Sequence, residues 1–283
     1  MVVKRNNEQL SPNEFRRLQL VELSLIKELD RVCRKNGIRY SIFCGTLLGA
    51  VRHKGYIPWD DDADIAMLRK DYEKFKKVRN QLNPRICFFQ DHDTDPEYLW
   101  GYGKLRRVGT CHLREGQTHI KCQNGVYIDI FPLDDVPKSV IGQVLQDITC
   151  FCMRKILWSK VGRVSDKGLM KLWYRLISII PADSVHKALK RFSGLSRYNS
   201  NNRVRCLLFP AFGTLYLKTH PLRERYGMPK RWFKELSEYE FEGCKFLGTR
   251  DYDGILKYIY EDYMTPPPEE KRVAKVSFHR MEF

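Results

Sequence analysis

Long apolar runs are missing from this chain. Its first fifteen residues, MVVKRNNEQLSPNEF, hold no apolar stretch of signal-peptide length. Nowhere do the roughly 18 uninterrupted apolar residues of a membrane-crossing helix occur. The expectation is a cytoplasmic protein, soluble or peripheral at the inner face of a membrane. Paired cysteine motifs are missing too. The nine cysteines are an odd number, scattered singly apart from Cys150 and Cys152, and no CxxC spacing occurs. Reduced thiols follow. Cys111, His112, His119 and Cys122 lie close together, but at no standard zinc spacing. Internal repeats and low-complexity tracts are absent, and no recognisable RNA-binding module is present. Negative charge is in the minority, with 34 Asp and Glu against 50 Lys and Arg, a formal net charge of +16. An anionic partner is therefore expected: nucleic acid, a phosphorylated small molecule or an anionic lipid surface.

What is present is enough to fold. Hydrophobic residues make up 43% of 283 positions and aromatics 12%, which supports a sizeable core and excludes disorder. Ser11, Pro12 and Glu14 spell a helix start with a capping box. Leu18, Val21, Leu25, Ile26, Leu29 and Val32 then recur at helical spacing, and Gly37 can end the helix. IRYSIFC reads as a buried strand, TLLGAVRH as a short helix opening at Gly45-Thr46, and ADIAML as a second strand. A helix over 71–82, a strand at ICFFQ and two more at YLWGYGKLRRVGTCHL and GVYIDIFPL complete an α/β or α+β region. After Pro137 the pattern becomes helical and basic: from Met153 to Arg197 there are eleven Lys or Arg against two Asp. Lys167, Lys171 and Arg175 recur every four residues, beside Leu169, Leu172, Trp173, Leu176 and Ile180. Such a helix either packs its apolar face on a core or lays it on a membrane. Three regions result: a catalytic core over 1–138, a basic helical insertion over 139–205 facing a membrane or an acceptor, and a segment over 206–283 that packs back on the core.

Within this cationic chain, IPWDDDADIA places four aspartates in five positions. Most charge runs are solvated loops. Here apolar residues flank the run on both sides, and Asp62 and Asp64 alternate with Ala63 as the chain enters a strand. Period two puts both carboxylates on one face. Two like charges that close are tolerable with a cation between them, and oxygen-only ligands suit Mg²⁺ or Mn²⁺. Upstream, Gly45-Thr46 joins a strand to a helix whose first N–H groups can receive phosphate.

The order strand, Gly-Thr, short helix, then Asp-x-Asp on a neighbouring strand is similar to the core of the nucleotidyltransferase superfamily, the fold of DNA polymerase β and the poly(A) polymerases. That resemblance implies a third carboxylate on a later strand, and VYIDIF offers Asp129. GTLLGAVRHKGYIPWDDDADIAM resembles, more closely, the signature of the LicD family, whose relatives include fukutin and fukutin-related protein. YGKLRRVGT, GVYIDIFPLDDVP and YEFEGCKFLGTRDYDGILKYIYEDYMTPPPEEKR resemble its further blocks, so the likeness spans most of residues 15–280.

The resemblance implies a nucleotidyltransferase-like mixed sheet with flanking helices, and a phosphotransferase. LicD-like enzymes move a phosphorylated alcohol, phosphocholine in bacterial members and ribitol phosphate in fukutin-related ones, from a CDP carrier to a sugar hydroxyl, and CMP leaves. It implies Mg²⁺ or Mn²⁺ at Asp62, Asp64 and Asp129, with Asp129 either a ligand or the base for the attacking hydroxyl. Gly45 and Thr46 would cradle phosphate, and Arg52, His53, Lys104 and Arg106 are candidate pyrophosphate contacts. Lys104 occupies the family's basic position before IDIFP. Asp60 also matches a family aspartate. The partners would be a CDP-alcohol and a cell-surface glycan, of the lipopolysaccharide or teichoic-acid kind, or its lipid-linked oligosaccharide precursor, with an anionic membrane surface as a further candidate and no nucleic acid. Two other readings stand beside this one: a nucleotidyltransferase releasing pyrophosphate, and a non-catalytic basic adaptor.

Overall fold

The computed structural model describes residues 2–6, 8–198, 200–209, 226–273 and 276–283. The chain opens with β1 (Val3–Arg5) and the long helix α1 (Pro12–Lys35). The capping box forms as the sequence predicts: Ser11 Oγ accepts from the Glu14 N–H, and the Glu14 carboxylate accepts from the Ser11 N–H at 2.8 Å. The helix buries Leu18, Leu25, Ile26, Leu29 and Val32 and ends before Gly37, whose φ of +59° suits a residue without a Cβ. Next come β2 (Ser41–Phe43), α2 (Cys44–His53), β3 (Asp64–Leu68), α3 (Arg69–Val78), β4 (Cys87–Gln90), β5 (Gly103–Arg107), β6 (Cys111–Leu113) and β7 (Tyr127–Pro137). Helices α4 (Val140–Ser165), α5 (Gly168–Ile177) and α6 (Ala182–Phe192) follow. The chain then forms β8 (Ser200–Arg205), β9 (Met228–Pro229), β10 (Leu236–Phe241), β11 (Cys244–Thr249), α7 (Tyr252–Tyr260) and β12 (Arg280–Glu282).

The fold is a mixed α/β architecture. One sheet runs β10-β11-β2-β3-β7-β5-β4, with β8 added to β7 and β9 to β8. Strands β3 and β7 are parallel, and β2 and β5 flank them antiparallel. Apolar residues of these strands, among them Ile42, Ile65, Ile128 and Ile130, are wholly buried in the main core. A second, three-stranded sheet, β1-β12-β6, ties the two ends of the chain together.

Several elements differ from the sequence reading. Helix α2 begins two residues before Thr46, at Cys44, whose φ is +46°, so β2 is cut to three residues. Helix α3 is shorter than the 71–82 pattern and closes in a 3₁₀ turn over Arg79–Gln81. The stretch 98–102 is not strand, because the chain turns there before entering β5. Residues 236–249, read from the sequence mainly as core, form a hairpin that joins the sheet: β11 runs parallel to β2 at Gly248 and Ile42, and the Thr249 N–H donates to Ser41 Oγ at 3.1 Å. Helix α7 packs on α2. In α5 only Tyr174 is buried, and the apolar residues around it face solvent.

Candidate active site

The register of the sheet assembles the centre. Asp64 of β3 stands opposite Asp129 of β7, and Asp129 stands opposite Lys104 of β5. Residues aligned across neighbouring strands project to one face. A two-carboxylate, one-ammonium row therefore crosses the sheet, and Gln90 of β4 extends it. Two local bonds hold the row. Thr46 Oγ1 accepts the Asp64 N–H at 2.8 Å, and the Asp129 N–H donates to the Ala63 carbonyl at 3.0 Å. Thr46 is thus spent on fixing the start of β3.

Lys104 Nζ forms an ion pair with Asp129 Oδ1 and lies 3.3 Å from the centre of the Tyr127 ring. Burial, against the pull of Asp129 and with the push of Arg106, lowers this ammonium to about 8. Arg106 shares the inward face but is committed to the fold: it donates to Gln90 Oε1 and, at 2.7 Å, to the Gly125 carbonyl. Arg107 points the other way, to the Ile86 carbonyl.

The acidic loop lies beside this row. A turn closed by the Asp60 N–H and the Ile57 carbonyl carries it, and Gln19 of α1 donates to the carbonyls of Ile57 and Asp60. Asp60 faces the first turn of α2, so closely that a Cβ at Gly45 would overlap its carboxylate. Gly45 is therefore required for the approach of a carboxylate to a helix N-terminus. Burial, reinforced by Asp62 and Asp61, pushes Asp60 up to about 8. Burial and the charges of Asp61 and Asp129 push Asp62 up to about 6. Asp64 is driven well above the carboxylate range by burial and by Asp62 and Asp129, and Asp61 is raised by burial. Walls of protein surround these groups, yet the Asp62 side chain still meets water. Asp60, Asp62 and Asp64 face a cavity of about 540 Å³ that Arg52, Trp59, Tyr260 and Tyr263 also line. A larger depression of about 920 Å³ beside Trp232 and Lys257 holds none of Asp60, Asp61, Asp62 and Asp64.

Arg52 and His53 part company. Arg52 borders the cavity and donates to the Tyr263 carbonyl at 2.8 Å. His53 is exposed, accepts from Arg52 Nε at 2.9 Å and sets its edge to Trp59.

Three further residues belong to the site. Glu22 of α1 is 2% exposed, and its Oε2 has no hydrogen-bond partner among the described residues. Burial and the charges of Asp62, Asp61, Asp60 and Asp64 raise it well above the usual carboxylate value and favour its neutral form. Its signal was available, since Glu22 sits four residues after Leu18 and four before Ile26 on an otherwise apolar face. Tyr260 of α7 lines the cavity, and its hydroxyl is raised by burial and by Cys44 and the aspartates. Arg114, just beyond β6, is exposed and has no side-chain hydrogen bond or ion pair among the described residues, while its charge acts on Tyr127, Asp129 and Asp61. Nothing in the sequence marked it among 50 basic residues.

A divalent cation fits this donor set in one way. Among the described residues no group of three His, Cys, Asp or Glu forms a ready metal cage. Asp62 and Asp64 nonetheless present hard oxygens whose mutual repulsion no cation of the protein fully offsets, Lys104 being bound to Asp129. That suits Mg²⁺ or Mn²⁺ held by one or two carboxylates and completed by substrate phosphates. Cys111, His112, His119 and Cys122 do not converge: His119 bonds the Lys160 carbonyl and Cys122 the Asn124 side chain. All nine cysteines are free thiols. His279 is exposed beside the small sheet and does not line the cavity.

Residues 37–149 match the family model described as LicD/FKTN/FKRP, nucleotidyltransferase domain. The chain is 31% identical over 266 residues to the lipopolysaccharide cholinephosphotransferase LicD of Haemophilus influenzae, covering 90% of this chain and 93% of that protein. Uncharacterized proteins of Rickettsia typhi and Rickettsia prowazekii are 47% and 53% identical over 58 residues each, 20% of this chain, and 19% and 22% of their own lengths.

Proposed function

Because the chain belongs to the LicD family, we propose that it transfers a phosphorylated alcohol, of the phosphocholine kind, from a CDP-alcohol to a hydroxyl of a cell-surface glycan or its lipid-linked precursor. The relative named a lipopolysaccharide cholinephosphotransferase supports the group transferred and the glycan acceptor. The observation that carries the reading is the row Asp64, Asp129, Lys104 across the sheet, whose Asp64 lines one cavity together with Asp62.

In this reaction the acceptor oxygen attacks the phosphorus distal to the nucleoside. The new O–P bond forms as the bond from that phosphorus to the bridging oxygen breaks, and CMP leaves with the electron pair. Such a transfer needs positioning and charge neutralisation more than covalent help. Asp62 and Asp64 would hold Mg²⁺ or Mn²⁺, whose positive charge would offset that of the phosphates. Lys104 fixes Asp129 through one oxygen, which leaves the other to take the proton of the attacking hydroxyl. Arg52 lines the cavity shared by Asp62 and Asp64, and exposed Arg114 acts by its charge on Asp129 and Asp61, so both would supply positive charge to the pyrophosphate. Glu22 backs the acidic loop, and burial together with the loop's charges favours its neutral form there.

The test is CMP release from a panel of CDP-alcohols with Mg²⁺ or Mn²⁺, wild type beside Asp62→Asn/Asp64→Asn. Metal-dependent release from one donor, lost in the double variant, is expected and names the alcohol. Pyrophosphate release from nucleoside triphosphates would instead make the protein a nucleotidyltransferase.

A further inference from the structure

Helices α4, α5 and α6 form a basic layer beside the sheet, and they differ in which face they bury. Helix α6 is ordinary: Val185 and Leu189 are buried while Lys187, Lys190 and Arg191 face water. The other two are inverted. On α4, Gln146, Cys150, Leu157 and Val161 face inward. Its opposite face carries Ile141, Val144, Leu145, Ile148 and Phe151, all exposed and spaced three or four apart, with Ile141 75% exposed. On α5 only Tyr174 is buried, held against α4 where a Cβ at Gly162 would overlap its ring. Leu169, Leu172, Trp173, Leu176 and the following Ile180 share its outer face, with Leu169 85% exposed. Large apolar side chains exposed in this number on two neighbouring helices mark an interaction face.

The charges beside that face choose the partner. Residues 140–180 contain seven Lys or Arg and two Asp. One of the two, Asp147, is paired with Arg205. Arg163, Lys167 and Arg175 are exposed next to the apolar stripe, and Trp158 and Trp173 supply rings that are apolar with a polar edge. A second copy would bring the same positive charge to the contact, whereas an anionic bilayer matches both the apolar stripe and the cations. No helix among the described residues is long and apolar enough to cross a membrane, so the contact lies in the plane of the interface. We propose that α4 and α5 are a membrane-docking surface for an anionic lipid bilayer, with the apolar faces of Ile141–Phe151 and Leu169–Ile180 in the headgroup boundary. Strand β7, which carries Asp129, runs into α4 after two residues, so docking sets the height of the catalytic row above the lipid. The surface does not depend on which group the enzyme transfers.

The experiment is co-sedimentation of the full chain with phosphatidylcholine vesicles, with and without phosphatidylglycerol, at low and high salt. The comparison variants are Ile148→Glu/Leu169→Glu/Leu176→Glu and Lys167→Gln/Lys171→Gln/Arg175→Gln, with thermal unfolding confirming that each folds. The wild type should partition onto anionic vesicles and lose affinity with salt. The apolar variant should bind about tenfold or more weakly at every salt, and the charge variant should lose mainly the salt-sensitive part. Asp62→Asn/Asp64→Asn should sediment like wild type, which separates failure of docking from failure of the reaction. No partition, equal partition onto neutral and anionic vesicles, or unaltered binding of the apolar variant would overturn the proposal. So would a dimer in solution that the apolar variant abolishes while vesicles are ignored.

Discussion

Single side chains decide how the centre is held. Thr46 Oγ1 is the acceptor for the backbone of Asp64, so Thr46→Val should cost about 1–2 kcal/mol in urea unfolding and lower CMP release by more than the stability loss explains. Lys104 is an ammonium that titrates at about 8 because burial opposes its charge. Its hold on Asp129 should weaken as pH rises through that value. The rate of CMP release should therefore fall above about pH 8, and Lys104→Met should remove that limb together with most of the activity. At this scale the sequence was partly legible. Asp62, Asp64, Asp129 and Lys104 could be named from spacing and family resemblance, and the register does bring Asp64, Asp129 and Lys104 into one row. What a string of letters could not say is that Arg106 is engaged by Gln90 and Gly125, that Thr46 serves β3, or that Glu22 lies against the acidic loop. Those are statements about which groups already have partners, and a partner can come from any distance along the chain.

Among the elements, the ones whose periodicity is complete in themselves were readable. Helix α1 carries its own cap and its own apolar stripe, and β7 its own largely apolar, buried run. Strand β2 was overread because Cys44 takes a positive φ and starts a helix early. The hairpin β10–β11 went unread as part of the sheet because its partner, β2, is some 200 residues upstream, as the bond from Thr249 to Ser41 records. In the helical layer, the contact of α5 with α4 relies on the missing side chain at Gly162. Gly162→Val should force the Tyr174 ring away and lower stability by about 1–3 kcal/mol in urea unfolding. The same variant should change the near-ultraviolet circular dichroism of Trp173 and Tyr174, while Asp64 and Asp129 keep their register.

Across the whole molecule, positive charge surrounds a small negative centre that is not self-sufficient. Asp60 titrates at about 8 in the fold and near 3.8 when unfolded, so the folded state alone holds its proton between those values. The stability this gives is full below the unfolded value and is lost as pH rises through about 8. His112 and His186, pushed down to about 3 by burial, act oppositely but only below 6.5. Between about pH 6.5 and 8, then, the thermal midpoint of protein freed of divalent cations should fall as pH rises. At pH 8, Mg²⁺ at about a hundredfold its Kd should restore about 2–3 kcal/mol. Asp62→Asn/Asp64→Asn should start from a higher midpoint and gain nothing from Mg²⁺, which scanning calorimetry would record. What the sequence determined by itself was whatever is local or additive: net charge, the cap of α1, the alternation of Asp62 and Asp64, the basic helical stretch. Only the tertiary structure decided the rest. The apolar stripe of α5 could as well have packed inward, and its direction follows from Tyr174 docking on α4. The row of Asp64, Asp129 and Lys104 exists because β3, β7 and β5 pair in one register, and pairing is a property of strands brought together, not of any strand alone.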